Sequence, residues 1–382
     1  MTKSLAAPQQ NPQIRSLFDQ PALQSFEGES FLTSGAGFDL MKEANDGGAP
    51  TFGSSTAYNR ESNLKSASSV HFPRDSLDSS EFSDLRFLRL FLTIHSIFYD
   101  FYDTSFSSFS ASDFKKAGYP RWVWLRFHEI QDDSKDYKEF WKSTISSLAS
   151  QEDIEFVKPI FQFNRHDVRS FVDHSLALET TATSCYVGAI PHINDRGYLT
   201  AVASIISETS KHSAWINAAV KAGSPWNGPF ETAITPSQCL STISNAVSNA
   251  PSIFTDLFLS SLPPDTKIHP HLQLSNSLVP GQEAQITFND TAIKSDPNAH
   301  LYGVFLHGTD TIFARITKNE TTTLDSADTQ TNYFIPIPLS LHGSSFFYVS
   351  RIGDDNLTRL TMNPDQDVIA GPTLVIFEYG SG

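Results

Sequence analysis

Between residues 81 and 220 apolar residues recur at helical spacing through four long stretches, and after residue 271 the period changes to alternation. That change limits the fold more than any single motif does. The first stretch, "SSEFSDLRFLRLFLTIHSIFYDFYDTSF", opens on Ser and acidic residues as a helix start does. It carries Leu88, Phe91, His95, Phe98 and Tyr102 on one stripe. "KKAGYPRW" is a stop and a turn, with Gly118 and Pro120 as punctuation. The second stretch, "RWVWLRFHEIQDDSKDYKEFWKSTISSL", turns Phe127, Ile130, Ser134, Tyr137 and Trp141 inward and keeps Asp132, Asp133 and Asp136 on a solvated acidic face. The third places Val172, Leu176, Glu179, Thr183 and Tyr186 on one stripe, and the fourth Val202, Ile205, Thr209 and His212. A short fifth helix is expected from "TPSQCLSTISNAV", with Pro236 and Ser237 at its beginning. The one long connection, roughly residues 142 to 166, lies between the second and third helices, which is the connectivity of a four-helix bundle with one crossover.

"LPPDTKIHPH", residues 262–271, reads as a proline-rich boundary. Beyond it "AQITFND", "YGVFLHG", "TIFARIT", "NYFIPIP", "SSFFYVSRI", "LTRLTM" and "TLVIFEYG" are seven candidate strands separated by Gly, Asn and Asp clusters. The fold class expected is therefore α+β and multidomain. A loosely packed arm over residues 1–80 precedes a helical bundle over 81–260. A linker over 261–271 leads to an Ig-like β-sandwich over 272–382.

A formal net charge of -15 argues against nucleic acid as a partner, because phosphate binding needs a basic face. No uninterrupted apolar run is long enough to span a membrane, and "MTKSLAAPQQNPQIRSLF" shows no apolar core of a signal peptide. Three Asn-x-Ser/Thr acceptors, Asn289, Asn319 and Asn356, all fall after residue 280, which points to a secreted, glycosylated surface. A cytoplasmic protein is the alternative. Cys185 and Cys239 are the two cysteines, enough for one bridge or two buried thiols.

The segments "AGYPRWVWLRFHEI", "FVDHSLALETTATSCYVGAIPHI", "GYLTAVASIISETSKHSAWI", "PFETAITPSQCLS" and "IAGPTLVIFE" resemble the ferritin-like, desiccation- or stress-related secreted proteins of fungi, a family with plant and bacterial relatives. The resemblance covers roughly residues 80 to 380 and is spread over many positions. It implies a ferritin-like bundle followed by a small β-domain. It also implies a two-metal centre with a Glu on helices one and three and Glu-x-x-His on helices two and four, since two neighbouring cations need bridging carboxylates. Carried onto this chain, those positions hold His95, then Ser134 and Tyr137, then Glu179, then Thr209 and His212. Only Glu179 and His212 match, with His95 a ligand of another type.

An inward Glu179 must be paired, hydrogen bonded or protonated, and His212 and His95 are its natural partners. One metal, iron or zinc, held by His95, Glu179 and His212 is the sharper alternative, with Tyr137 nearby. Glu208, four residues before His212, is expected to share a hydrogen bond with it on one helix face, with two alternatives: it stands in for the ligand lost at Thr209, or it is exposed and unpaired. His269 and His271 read as a solvated linker pair. No phosphate loop or nucleophile elbow occurs. Two function classes follow. One is a non-catalytic secreted or cell-surface protein without cofactor, whose β-domain meets a carbohydrate, cell-wall or host-protein partner. The other is a single-metal oxidase or hydrolase.

Overall fold

The computed structural model of the chain describes residues 79–148, 161–163, 165–248, 250–274, 278–289, 300–322, 329–352, 365 and 367–377. The expected arm up to residue 78, the strand expected at "LTRLTM" and Asn356 lie outside the described residues.

The four apolar stretches become four long helices. Helix α1 spans Ser79–Phe106. After the short α2, Ala111–Lys116, comes α3, Arg121–Leu148. Helix α4 spans Val168–Ala189 and α5 spans Arg196–Trp215. Helix α1 lies along α3 and α4 along α5, with α1 also touching α4. Phe91, Phe98, Phe127, Trp141, Val172 and Val202 from these stripes are wholly or almost wholly buried in one apolar cluster. Each such aromatic withdraws enough apolar surface to contribute about 2–3 kcal/mol.

Polar side chains fix the helix ends. Asp167 accepts from Ser170 N at the start of α4, and Asp195 accepts from Tyr198 N at the start of α5. Asp84, on α1 and 2% exposed, ties that helix to the α4–α5 turn. One oxygen accepts from the Asn194 backbone and side-chain amides, both at 2.9 Å, and the other from Asp195 N at 2.8 Å. A buried carboxylate in such a position is satisfied by charge-assisted hydrogen bonds instead of a cation.

Helix α5 does not stop at Trp215. It runs into a π-helical turn, Ile216–Val220. The short helices α6, Pro236–Ser244, α7, Ala250–Ile253, and α8, Asp256–Ser260, follow. The expected start of α6 is present with Pro236 in its first turn, capped by a reciprocal Thr235–Gln238 pair. The cysteines form one bridge, Cys185–Cys239, which fastens α6 to α4. Gly188 allows this approach, because a Cβ there would strike the Ile234 carbonyl.

The β part consists of two four-stranded antiparallel sheets. The first has the order β1-β2-β6-β5 and the second β4-β3-β7-β8. The strands are β1, Leu272–Leu274; β2, Glu283–Phe288; β3, His300–His307; and β4, Asp310–Arg315. They continue with β5, Thr317–Thr322; β6, Thr329–Pro336; β7, Gly343–Ile352; and β8, Val368–Phe377. Strands β1 and β5 were not expected. The first is three residues long, and "TKNETT" of the second has no apolar alternation. Only Ile316 separates β4 from β5, so the chain changes sheets there.

Strands β3 and β7 are covered on both faces. Phe305, Phe347 and Val349 join Ile286, Tyr333 and Ile335 in a cluster shared by the two sheets. Their sequence neighbours Val304, Leu306, Phe346 and Tyr348 point the other way, into the helical core. This is why "VFL" and "FFYV" read as continuous apolar runs. The expected linker is less exposed than its composition suggests. His271 is exposed, but His269 is 6% exposed, which corrects the reading of both as solvated. Ser241 Oγ accepts from His269 N at 2.9 Å and so draws the segment onto α6. Among the described residues no helix is long and apolar enough to cross a membrane.

Candidate functional site

The helical periodicity delivers the expected side chains to the interior. His95, Ser134, Glu179, Thr183 and Thr209 are each between 1% and 2% exposed. His212 is close behind, with 13% of its side chain accessible.

Glu179, from the middle of α4, is held from two sides. Tyr102 of α1 donates its hydroxyl to Oε1 at 2.9 Å, and Nδ1 of His212 lies 3.2 Å from Oε2. The second imidazole nitrogen of His212, Nε2, faces Oδ2 of Asp133 on α3 at 3.3 Å. His212 therefore stands between two carboxylates, one from each neighbouring helix. Burial alone would lower its pKa. The hydrogen bonds with Asp133 and Glu179, and the charges of both, outweigh burial and hold the pKa at about 10. The ring is an imidazolium at neutral pH.

His95 is in the opposite state. Its Nε2 lies 2.8 Å from the Tyr186 hydroxyl, which also accepts from Trp141 Nε1 at 2.8 Å. Trp141 can only donate, so the tyrosine proton is directed at Nε2 of a neutral His95, whose own proton then sits on Nδ1. Nδ1 is buried and has no hydrogen-bond partner in the described structure. Burial, and then the positive charge of His212, push the His95 pKa down to about 3. Tyr137 packs its ring 4.9 Å from that of His95, and its hydroxyl pKa is raised by burial and then by the charge of Asp133.

The structure departs from the expected contacts at three points. Glu208 does not reach His212. It is exposed and pairs with Lys211 at 2.7 Å, because a residue four before His212 also lies next to a cation three residues on. Asp133 is not simply solvated. It turns into the groove beside the small Ser134, and its side chain is 26% accessible. His95 does not pair with Glu179, whose α1 partner is Tyr102. Tyr102 was visible on the inward stripe of helix one, but only its phenol identifies it as a donor to a carboxylate on a facing helix.

Thr209, at the position of a metal carboxylate in the resemblance, is part of a hydroxyl pair. Thr183 donates to Thr209 Oγ1 at 3.0 Å, and Thr209 donates to the carbonyl of Ile205 at 3.0 Å. A two-metal centre does not fit this arrangement. The two carboxylates near the centre, Glu179 and Asp133, both face one imidazolium, and Ser134, Tyr137 and Thr209 supply no further anion at its other positions. Among the described residues, no group of three or more His, Cys, Asp or Glu side chains is placed to hold a metal ion.

Of the glycosylation acceptors, Asn289 is exposed just after β2, and Asn319 lies in β5.

Residues 83–222, a span that includes α3, α4, α5 and nearly all of α1, match the family model of the ferritin-like domain. The helical part of the chain is thus ferritin-like. No curated protein matches the chain.

Proposed function

We propose that the protein is a non-catalytic, secreted or cell-surface protein in which a ferritin-like bundle has exchanged its metal centre for a protein-only polar core. The observation that carries this reading is the double engagement of His212. A residue that would offer a lone pair to a metal is instead a cation between Glu179 and Asp133. The imidazolium supplies the positive charge that buried carboxylates require. The Cys185–Cys239 bridge supports an oxidising compartment, as do the acceptors Asn289, Asn319 and Asn356. The resemblance to desiccation- and stress-related proteins suggests a role in stress tolerance or surface contact. The β part, of an Ig-like sandwich type, then serves as spacer or binding module. The acidic composition disfavours nucleic acid as a partner.

One observation favours the second reading, a single iron or zinc ion at His95, Glu179 and His212 in an oxidase or hydrolase. Nδ1 of His95 is buried without a partner. Using it as a ligand requires the other His95 tautomer and the loss of a proton from His212. Elemental analysis decides between the two. Protein purified without chelator, then incubated with ferrous iron or zinc and dialysed, should retain no more metal than its His212→Ala variant. Stoichiometric metal that the variant loses would overturn the proposal.

A further inference from the structure

A cavity of about 290 Å³ lies where the helical and β parts meet, and none of His95, Asp133, Glu179 or His212 lines it. Its walls come from α4, α5, the loop after the π-helical turn, and the first residues of β7. Such junctions between folding units are where small-molecule sites are preferentially built.

Four observations mark it as a site. Thr180 on α4 and Ser344 on β7 are 4% and 5% exposed and both line the cavity. Both carry hydroxyls that a ligand in the cavity can reach. Trp226 also lines the cavity, yet it is 68% exposed, and Phe230 on the same loop is 60% exposed. Trp226 thus sets an aromatic surface in water at the edge of a cavity whose lining is mostly apolar. Third, the backbone around the cavity is specialised. The π-helical turn, a form frequent at functional sites, brings Asn217 to the wall, and Ala222 just beyond it has φ 58.

Fourth, the loop is fixed in place. Asn217 Nδ2 donates to Ser224 O at 2.6 Å, and Asn227 Oδ1 accepts from Ser344 N at 2.9 Å. Gly343, at φ 61, makes the last contact feasible, because a Cβ there would come within 2.7 Å of Asn227 Cα. The cavity is therefore preformed, which lowers the ordering cost of binding.

The lining selects a ligand. It offers side-chain hydroxyls and an aromatic face. It offers little net charge, since Lys211 is already paired with Glu208 and the Glu231 carboxyl is half-buried and accepts a hydrogen bond from Asn227. A molecule with an apolar C–H face and a ring of hydroxyls matches this combination. We propose that the cavity binds one pyranose unit of a neutral saccharide, with the Trp226 indole against its C–H face and Thr180, Ser344 and Glu231 bonded to its hydroxyls. The inference rests on the proposed extracellular setting, but its test is independent of metal content.

The test is calorimetric titration of the full chain with the tetrasaccharides of glucose, N-acetylglucosamine and mannose. At least one should bind with a millimolar or lower dissociation constant. Trp226→Ala should then weaken binding by about ten-fold or more, which is about 1.4 kcal/mol. Thr180→Val, which keeps the side-chain shape, should weaken it about three- to ten-fold. Both variants should melt close to the wild-type temperature, Trp226 being exposed and Thr180→Val keeping the side-chain shape. No binding of any of the three probes, or binding that both variants leave unchanged, would overturn the site. Either failure would leave the metal measurement and the reading of His212 untouched.

Discussion

Nε2 of His212 lies 3.3 Å from Oδ2 of Asp133, a contact that joins α5 to α3 on the side of the ring opposite Glu179. With it the imidazole spans two helices and keeps both protons. In a ferritin-like bundle, metals hold the helices together through carboxylates. On the function proposed above, a side chain of the bundle provides the cation itself.

The first consequence is a pH dependence with a defined sign. The pKa of His212 rises from 6.5 to about 10 on folding, so between those values the folded chain holds a proton that the unfolded chain releases. Its contribution is complete below pH 6.5 and is lost as pH climbs toward 10. His95 acts in the other direction. Its pKa falls to about 3, so acidification below pH 6.5 favours the unfolded chain. Tyr102, Tyr137 and Tyr186, all raised by burial, affect stability only above their ordinary value of 10. Urea unfolding from pH 6.5 to 9.5 should show stability falling by a few kcal/mol in total. His212→Gln should be less stable at pH 6.5 and should flatten that decline.

Two glutamates separate the buried contacts from the surface ones. Glu179→Gln leaves the His212 charge with a weaker partner inside the core and should cost about 2–4 kcal/mol. Glu208→Gln removes an exposed pair with Lys211 and should change stability by about 0.5 kcal/mol or less. Parallel chemical denaturation of the two variants measures both. Equal losses would contradict the assignment of Glu179, and not Glu208, as the partner of His212.

The hydroxyl pair of Thr183 and Thr209 should behave non-additively. Thr209→Val alone removes one acceptor of Thr183, whose hydroxyl can still donate to the Glu179 carbonyl at 3.1 Å, and should cost about 1 kcal/mol. Adding Thr183→Val removes the other half of a pair already broken, so the double variant should cost less than the sum of the two single variants. A double-mutant cycle in urea, at unchanged m value, reads this coupling.

The bridge between Cys185 and Cys239 closes a sequence separation of 54 residues. By the chain-entropy argument its loss should destabilise the protein by about 4 kcal/mol. Intact mass before and after reduction under denaturing conditions should differ by two hydrogens. The Cys185→Ala, Cys239→Ala double variant should melt at a lower temperature that reductant no longer changes.

The helices and the inward stripes were legible because burial of one helix face leaves a 3.6-residue period, and that period put Glu179, Thr209 and His212 in the interior correctly. Contacts between helices were much less legible. Tyr102, rather than His95, meets Glu179 because the partner depends on how far each helix is shifted along its neighbour, which no single stripe records. Asp133 looked like part of an acidic surface because two further acids flank it in "DDSKD", yet it lies only about 100° around the helix from the inward Ser134. Glu208 was misleading for the converse reason. Its spacing suited His212, but Lys211 was closer to hand. Strand β5 escaped notice because its residues are polar, and its place in the sheet comes from pairing with β6.

The charge state of His212 is open to direct observation by NMR of protein labelled with ¹⁵N in its histidines. Between pH 6.5 and 9 both ring nitrogens of His212 should carry protons, and adding ferrous iron or zinc should leave their signals in place. His212→Ala identifies the resonance. A ring that is neutral at pH 7.5, or that loses a proton as metal is titrated in, would contradict the replacement of the metal centre by an imidazolium.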